Sequence, residues 1–126
     1  MRDGQMPSTH DQDHIWHRRA AMALASVAET GRTITYADLA DAASIPAPHR
    51  INKLTQWLEA TMREDHAAGR PLRAALVISR NRGGLPAPGF FQLCGELGLY
   101  QASASSIAAA QFHQTMLDAL RSRIKD

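Results

Sequence analysis

From Asp11 to Glu29 apolar residues return every three or four positions, at Trp16, Ala20, Ala23, Leu24 and Val27, with Arg18 and Arg19 turned elsewhere. That period predicts an amphipathic helix, which Gly31 closes. A second, short helix is expected from Thr35 to about Ala43: the Thr35 hydroxyl is placed to cap it, and Leu39 and Ala40 face inward. Pro46 and Pro48 break the pattern and stand where the first turn of a third helix tolerates proline. In that third helix Ile51, Leu54, Leu58 and Met62 make a stripe at spacings of three, four and four, predicted to face the core.

The helical pattern continues to about Ala68, where Gly69-Arg70-Pro71 supplies a stop. Ala74 to Ile78 is a continuous apolar run and predicts a short buried strand. Asn81-Arg82-Gly83-Gly84 is turn chemistry, and Leu85-Pro86-Ala87-Pro88-Gly89 is too proline-rich for a central strand, so the second arm of a hairpin would be short or at an edge. Phe90, Phe91, Leu93 and Leu97 predict one more short helix, ended by Gly98. Ser103 to Ser106 offers N-caps for a final helix in which Ile107, Ala110, Leu117, Leu120 and Ile124 share a face. The order predicts a mostly α domain with a small β-hairpin, a winged helix-turn-helix-like plan with additional N- and C-terminal helices. Residues 1–10 are expected to be a flexible lead and residues 11–126 a single domain.

Composition narrows the classes. The chain has 126 residues, 44% of them hydrophobic, enough for one packed core without disulfides or a structural metal. Its single Cys94, set among Phe91, Leu93 and Leu97, has no partner in the chain and is expected to be a small buried hydrophobe rather than a nucleophile. No run approaches the ~20 apolar residues of a membrane span, and Met1-Arg-Asp-Gly-Gln5 lacks the apolar core of a signal peptide, so a cytoplasmic location and no membrane partner are expected. A net charge of +2 does not by itself point to nucleic acid. Its distribution says more, because Arg70, Arg73, Arg80 and Arg82 lie in a stretch between His66 and Gly95 that holds no Asp or Glu.

The segments Thr35-Tyr-Ala-Asp-Leu-Ala40 and Ala47-Pro-His-Arg-Ile51, then Pro71 before an apolar run and Gly83-Gly84 before Phe90, resemble the DNA-binding domain of alkylguanine-DNA alkyltransferases and alkyltransferase-like proteins. The resemblance spans roughly residues 24 to 91. It implies a winged helix whose second helix enters a DNA groove, with Tyr36 in the place of the family's helix-turn-helix tyrosine and Arg50 in that of the arginine that inserts into the minor groove in place of a flipped base. The family's Pro-Cys-His-Arg motif is replaced here by Pro71-Leu-Arg-Ala74, with Leu72 near the nucleophile's place. Alkyl transfer needs an activated sulfur, so no enzyme activity and no cofactor are expected.

On the third helix His49, Lys53 and Gln56 stand opposite the apolar stripe, with Arg50 and Trp57 beside them. Cationic and amide side chains there suit phosphates and base edges, and Arg80 and Arg82 on the wing suit backbone phosphates. The expected function is therefore non-catalytic binding of double-stranded DNA through Tyr36, His49, Arg50, Lys53, Gln56, Arg80 and Arg82. The alternative is a protein-interaction or homodimerisation module that uses the terminal helices and shows an apolar patch of Trp16, Trp57, Phe112 and Met116. An unrecognised enzyme site would centre on His49 or His113. His10, His14 and His17 share one side of the first helix, but a zinc site needs further ligands in fixed geometry, and a solvated face is the simpler reading.

Overall fold

The structure is a computed structural model that describes residues 9–103 and 106–125, with side chains described for 13–103 and 106–122. It is built from α1 (Thr9–Thr30), β1 (Ile34–Thr35), α2 (Tyr36–Ala43), α3 (Arg50–Ala67), a 3-10 turn (Arg73–Leu76), β2 (Val77–Ile78), α4 (Pro88–Glu96) and α5 (Ile107–Lys125). The mostly α architecture with one small β element is the expected class. The first turn of α1 reaches into the segment expected to be a flexible lead.

Local chemistry explains the boundaries of α2. Thr35 caps it by accepting from the Asp38 amide at 3.1 Å, and the helix ends at Ser44, which takes a left-handed conformation with φ 54°. The two prolines precede α3 instead of opening it: Ile45-Pro46-Ala47-Pro48 forms the connection, with a cis Ala47–Pro48 bond, and α3 starts at Arg50.

The β element differs from the expected hairpin. The two strands pair in parallel, Ile34 with Val77 and Thr35 with Ile78, so the partner of β2 comes from the α1–α2 connection. After β2 the chain folds back in tight turns in which the Ser79 amide donates to the Leu85 carbonyl at 2.8 Å, and Leu85–Ala87 forms no strand. Prolines at 86 and 88 bracket Ala87 and remove two of the donors that a ladder would need. The apolar run 74–78 is correspondingly mostly 3-10 helix, with only Val77 and Ile78 extended. Its burial was legible; its period was not, since a short apolar run fits either state.

One core joins all elements, with Leu24, Leu39, Leu54, Met62, Leu72, Leu76, Val77 and Cys94 fully enclosed. Phe91, Tyr100 and Phe112 tie α4 to α5, the Tyr100 and Phe112 rings stacking at 4.7 Å. Three members of the predicted inward faces point outward: Ala110, Ile51, which is 46% exposed, and Ile107, which is 79% exposed. Leu117 and Leu120 are buried as expected, together with Ala109 and His113, and the Ile124 side chain lies outside the described residues.

Candidate functional site

The acid-free arginine stretch is the first sequence inference that the geometry changes. Asp65, in the last turns of α3, has no solvent exposure and receives both nearby guanidinium groups. Arg70 Nε and Nη2 donate to its Oδ1 at 3.2 and 3.0 Å, Arg73 Nε donates to Oδ2 at 3.0 Å, and the Arg73 amide reaches Oδ2 at 3.1 Å. Burial alone would raise this carboxyl's pKa, but the Arg73 and Arg70 hydrogen bonds and charge outweigh it and hold it below the usual carboxylate range. Half of the apparent basic stretch is thus neutralised by an acid one residue upstream of it. Arg70 and Arg73 pin the turn that delivers the 3-10 segment to the core.

Arg50 is likewise engaged within the chain. Its Nε donates to the Ile45 carbonyl at 2.7 Å, Nη2 to the Ala40 carbonyl at 3.0 Å, and Nη1 to Asp41 Oδ1 at 3.0 Å. It therefore ties the end of α2, through the Ala40 carbonyl and the Asp41 carboxylate, to the Ile45 carbonyl of the α2–α3 connection. Lys53 Nζ donates to the Pro46 carbonyl at 2.8 Å and adds a second tie to the same loop. On the turn after β2, Arg82 Nε donates to the Pro86 carbonyl at 2.9 Å. Arg50, Lys53 and Arg82 thus hold the scaffold in shape.

What remains presented to solvent forms one concave surface. A cavity of about 390 Å³ is lined by Thr35, Tyr36, Ala37, Ile51, Thr55, Ser79, Arg80 and Ala87, so Arg80 faces the same space as the leading turns of α3. A second depression, of about 620 Å³, shares Ala37 and Ile51 and is also lined by Asn52, Arg50 and His49. His49, Asn52 and Arg80 are exposed on this surface, and Gln56 is exposed one turn of α3 beyond Asn52. Tyr36 is half-buried at its floor, where its hydroxyl accepts from the Ala87 amide at 3.2 Å and ties α2 to the loop before α4. Burial raises the phenol's pKa, against the opposing influence of that hydrogen bond and of Arg82, so it stays neutral near pH 7.

The start of α3 is electrostatically open. His49 at its N-cap has φ 60° and makes no side-chain cap, and no acid stands in the first turn. By contrast, α2 carries both a Thr35 cap and Asp38 in its first turn. The positive end of an 18-residue helix is therefore presented without a local counter-charge on that helix, beside Arg80 on the adjoining rim. Asp41, which lines the far depression, is paired with Arg50.

The other candidates resolve into structure. His17 stacks on Trp57 with ring centroids 6.1 Å apart and meets Trp16 edge-on at 4.3 Å. No group of three or more metal-capable side chains occurs among the described residues, and the His10 side chain lies outside them. Trp16 is buried, and Trp57, Phe112 and Met116 are half-buried and packed against the core. Cys94 is fully buried, its thiol pushed up to about 12 by that burial. His113 is buried on α5 with Nε2 2.7 Å from the Ala75 carbonyl, which makes that nitrogen the protonated one. No helix is long and apolar enough to cross a membrane among the described residues. Compared with known proteins, the chain matches no family model, no curated protein and no solved structure.

Proposed function

We propose that this protein binds double-stranded DNA without catalysing a reaction, with the N-terminal turns of α3 against a groove and Arg80 on the flanking phosphates. The observation that carries the reading is the juxtaposition of an uncapped, acid-free α3 N-terminus with exposed Arg80 across one continuous concave surface. Amides at a helix start bind phosphate because the macrodipole and the unpaired N–H groups act together. His49, Asn52 and Gln56, exposed on the same side, offer the donors and acceptors that base edges and sugar-phosphate require.

This assigns the contacts differently from the sequence alone. Arg80, His49 and Gln56 stay as contacts and Asn52 joins them, while Arg50, Lys53, Arg82 and Tyr36 are tied by hydrogen bonds within the chain and hold the surface in shape. The resemblance of residues 35–51 to an alkyltransferase DNA-binding segment points the same way for the binding mode, and Leu72 in the cysteine's place points away from chemistry.

Fluorescence anisotropy with a labelled duplex at low salt tests the reading. Arg80→Glu should weaken binding at least tenfold and leave the fold unchanged. Arg80→Ala should lower the slope of log K against log salt by about one, as loss of a single phosphate contact predicts. Absence of binding at low salt, or equal binding by the parent and Arg80→Glu, overturns it.

A further inference from the structure

The outward face of α1 is patterned, although nothing in the fold uses it. Ile15, Arg18, Arg19, Met22, Ala25, Ser26 and Glu29 are all exposed, and Met22 is 67% so. At 3.6 residues per turn these seven positions fall within about 120° of arc, opposite Trp16, Ala20 and Leu24 in the core. Arg18, Arg19 and Glu29 take no part in an ion pair among the described residues. The positive charges lie towards one end of the stripe, the negative charge at the other, with a large apolar side chain and two small residues between.

That order is complementary to its own reverse. We propose that α1 is the contact between two copies of this chain, packed antiparallel across a two-fold axis at the level of Leu24. Such a crossing sets Arg18 and Arg19 of one copy against Glu29 of the other, twice by symmetry, because a two-fold interface presents the same patch from both sides. It also lays Met22 over the partner copy's Ala25 and Ser26, a large side chain into a gap left by small ones, which is how ridges and grooves of packed helices interlock. A parallel arrangement would set arginine against arginine and Met22 against Met22. The charge order therefore selects the direction as well as the partner.

One helix face is a small interface, at the low end of the range for specific association, and its ion pairs are solvent-exposed at the rim. The dimer is accordingly weak, with a Kd on the order of 10–100 μM at low salt, and weaker when salt screens the pairs. This inference stands apart from the nucleic-acid reading and is measured with no nucleic acid present.

Sedimentation velocity of the whole chain, from about 5 to about 500 μM at low salt, tests it. The parent should move from the 13.8 kDa of one chain towards twice that mass, and less so in high salt. Arg18→Glu with Arg19→Glu should weaken association at least tenfold, and adding Glu29→Arg to that pair should restore it, because the inverted pattern is again complementary to itself. All three positions are exposed, and far-ultraviolet circular dichroism checks that each variant is folded. A parent that stays monomeric throughout the range, a double variant that associates like the parent, or a triple variant that fails to recover each overturns the proposal.

Discussion

Replacing Asp65 by Asn keeps the shape of the side chain and removes the charge that two arginines share. The carboxylate has no solvent exposure, whereas the Arg70 and Arg73 side chains are 42% and 32% exposed. Removing one member of a fully buried pair costs roughly 3–5 kcal/mol, because the other charge is stranded. Here the guanidinium groups are partly exposed and keep the exposed Glu64 carboxylate within 4.0 Å of Arg70 and 3.6 Å of Arg73, which brings the expected cost down to about 2–3 kcal/mol. Against a total stability of roughly 5–15 kcal/mol this is a large fraction, and for a chain of this size it lowers the melting temperature by about 10 °C. Differential scanning calorimetry of the two proteins at pH 7 measures the difference. The sign of the pH dependence gives a second check: a carboxyl whose folded pKa is depressed contributes stability that is present above its unfolded value of 3.8 and lost as pH falls through the lower folded value. The parent should therefore lose stability below about pH 4 more steeply than Asp65→Asn. A variant that melts within about 2 °C of the parent at pH 7 refutes the view that this cluster holds the Ala68–Leu72 turn.

Arg50→Ala removes three hydrogen bonds to the end of α2 and its connection, and should cost about 1–3 kcal/mol in urea denaturation, a loss that Arg80→Ala does not share. The pKa of His113 is lowered chiefly by burial, with Arg121 adding to the shift and the Ala75 hydrogen bond opposing it. Its contribution to stability is full above the unfolded value of 6.5 and declines as pH falls through the folded value, so the urea midpoint should drop between about pH 6.5 and pH 5 less in His113→Gln than in the parent. Cys94 should label with a thiol reagent only as fast as the protein opens, so that urea accelerates labelling in step with unfolding; fast labelling in native buffer would contradict its enclosure.

Periodic features survived the passage from sequence to structure. Trp16, Ala20 and Leu24, and Leu54, Leu58 and Met62, repeat at helical spacing and are buried, because several positions vote for the same face. Ile51 extended its stripe by one position but belongs to the first turn of α3, which projects past the core and borders the cavity beside Arg80. The parallel pairing of β1 with β2 was not legible: two residues give no period, and their partner lies some forty positions away, across two helices.

The charges misled for a related reason, since a window of sequence counts residues while the fold pairs them. The stretch beginning at His66 excludes Asp65, and Asp65 is the residue that consumes two of its four arginines. Arg50 takes the place of the alkyltransferase family's minor-groove arginine by resemblance, which assigns it an outward role. The structure shows the competing demand: the Ile45 carbonyl in the turn, and the second lone pair of an Ala40 carbonyl that already accepts from the Ile45 amide, are reached at once by a planar fork five and ten residues later. A lysine there could satisfy one of them, which is why the guanidinium is spent on the scaffold. Arg80 faces the cavity on an exposed turn after β2 and takes part in no side-chain hydrogen bond or ion pair among the described residues. It is therefore the cation whose loss should cost binding and spare stability, and Arg50 the one whose loss should do the reverse. Measuring both variants in both assays separates the two roles, and equal effects of Arg50→Ala and Arg80→Ala in either assay would refute the division.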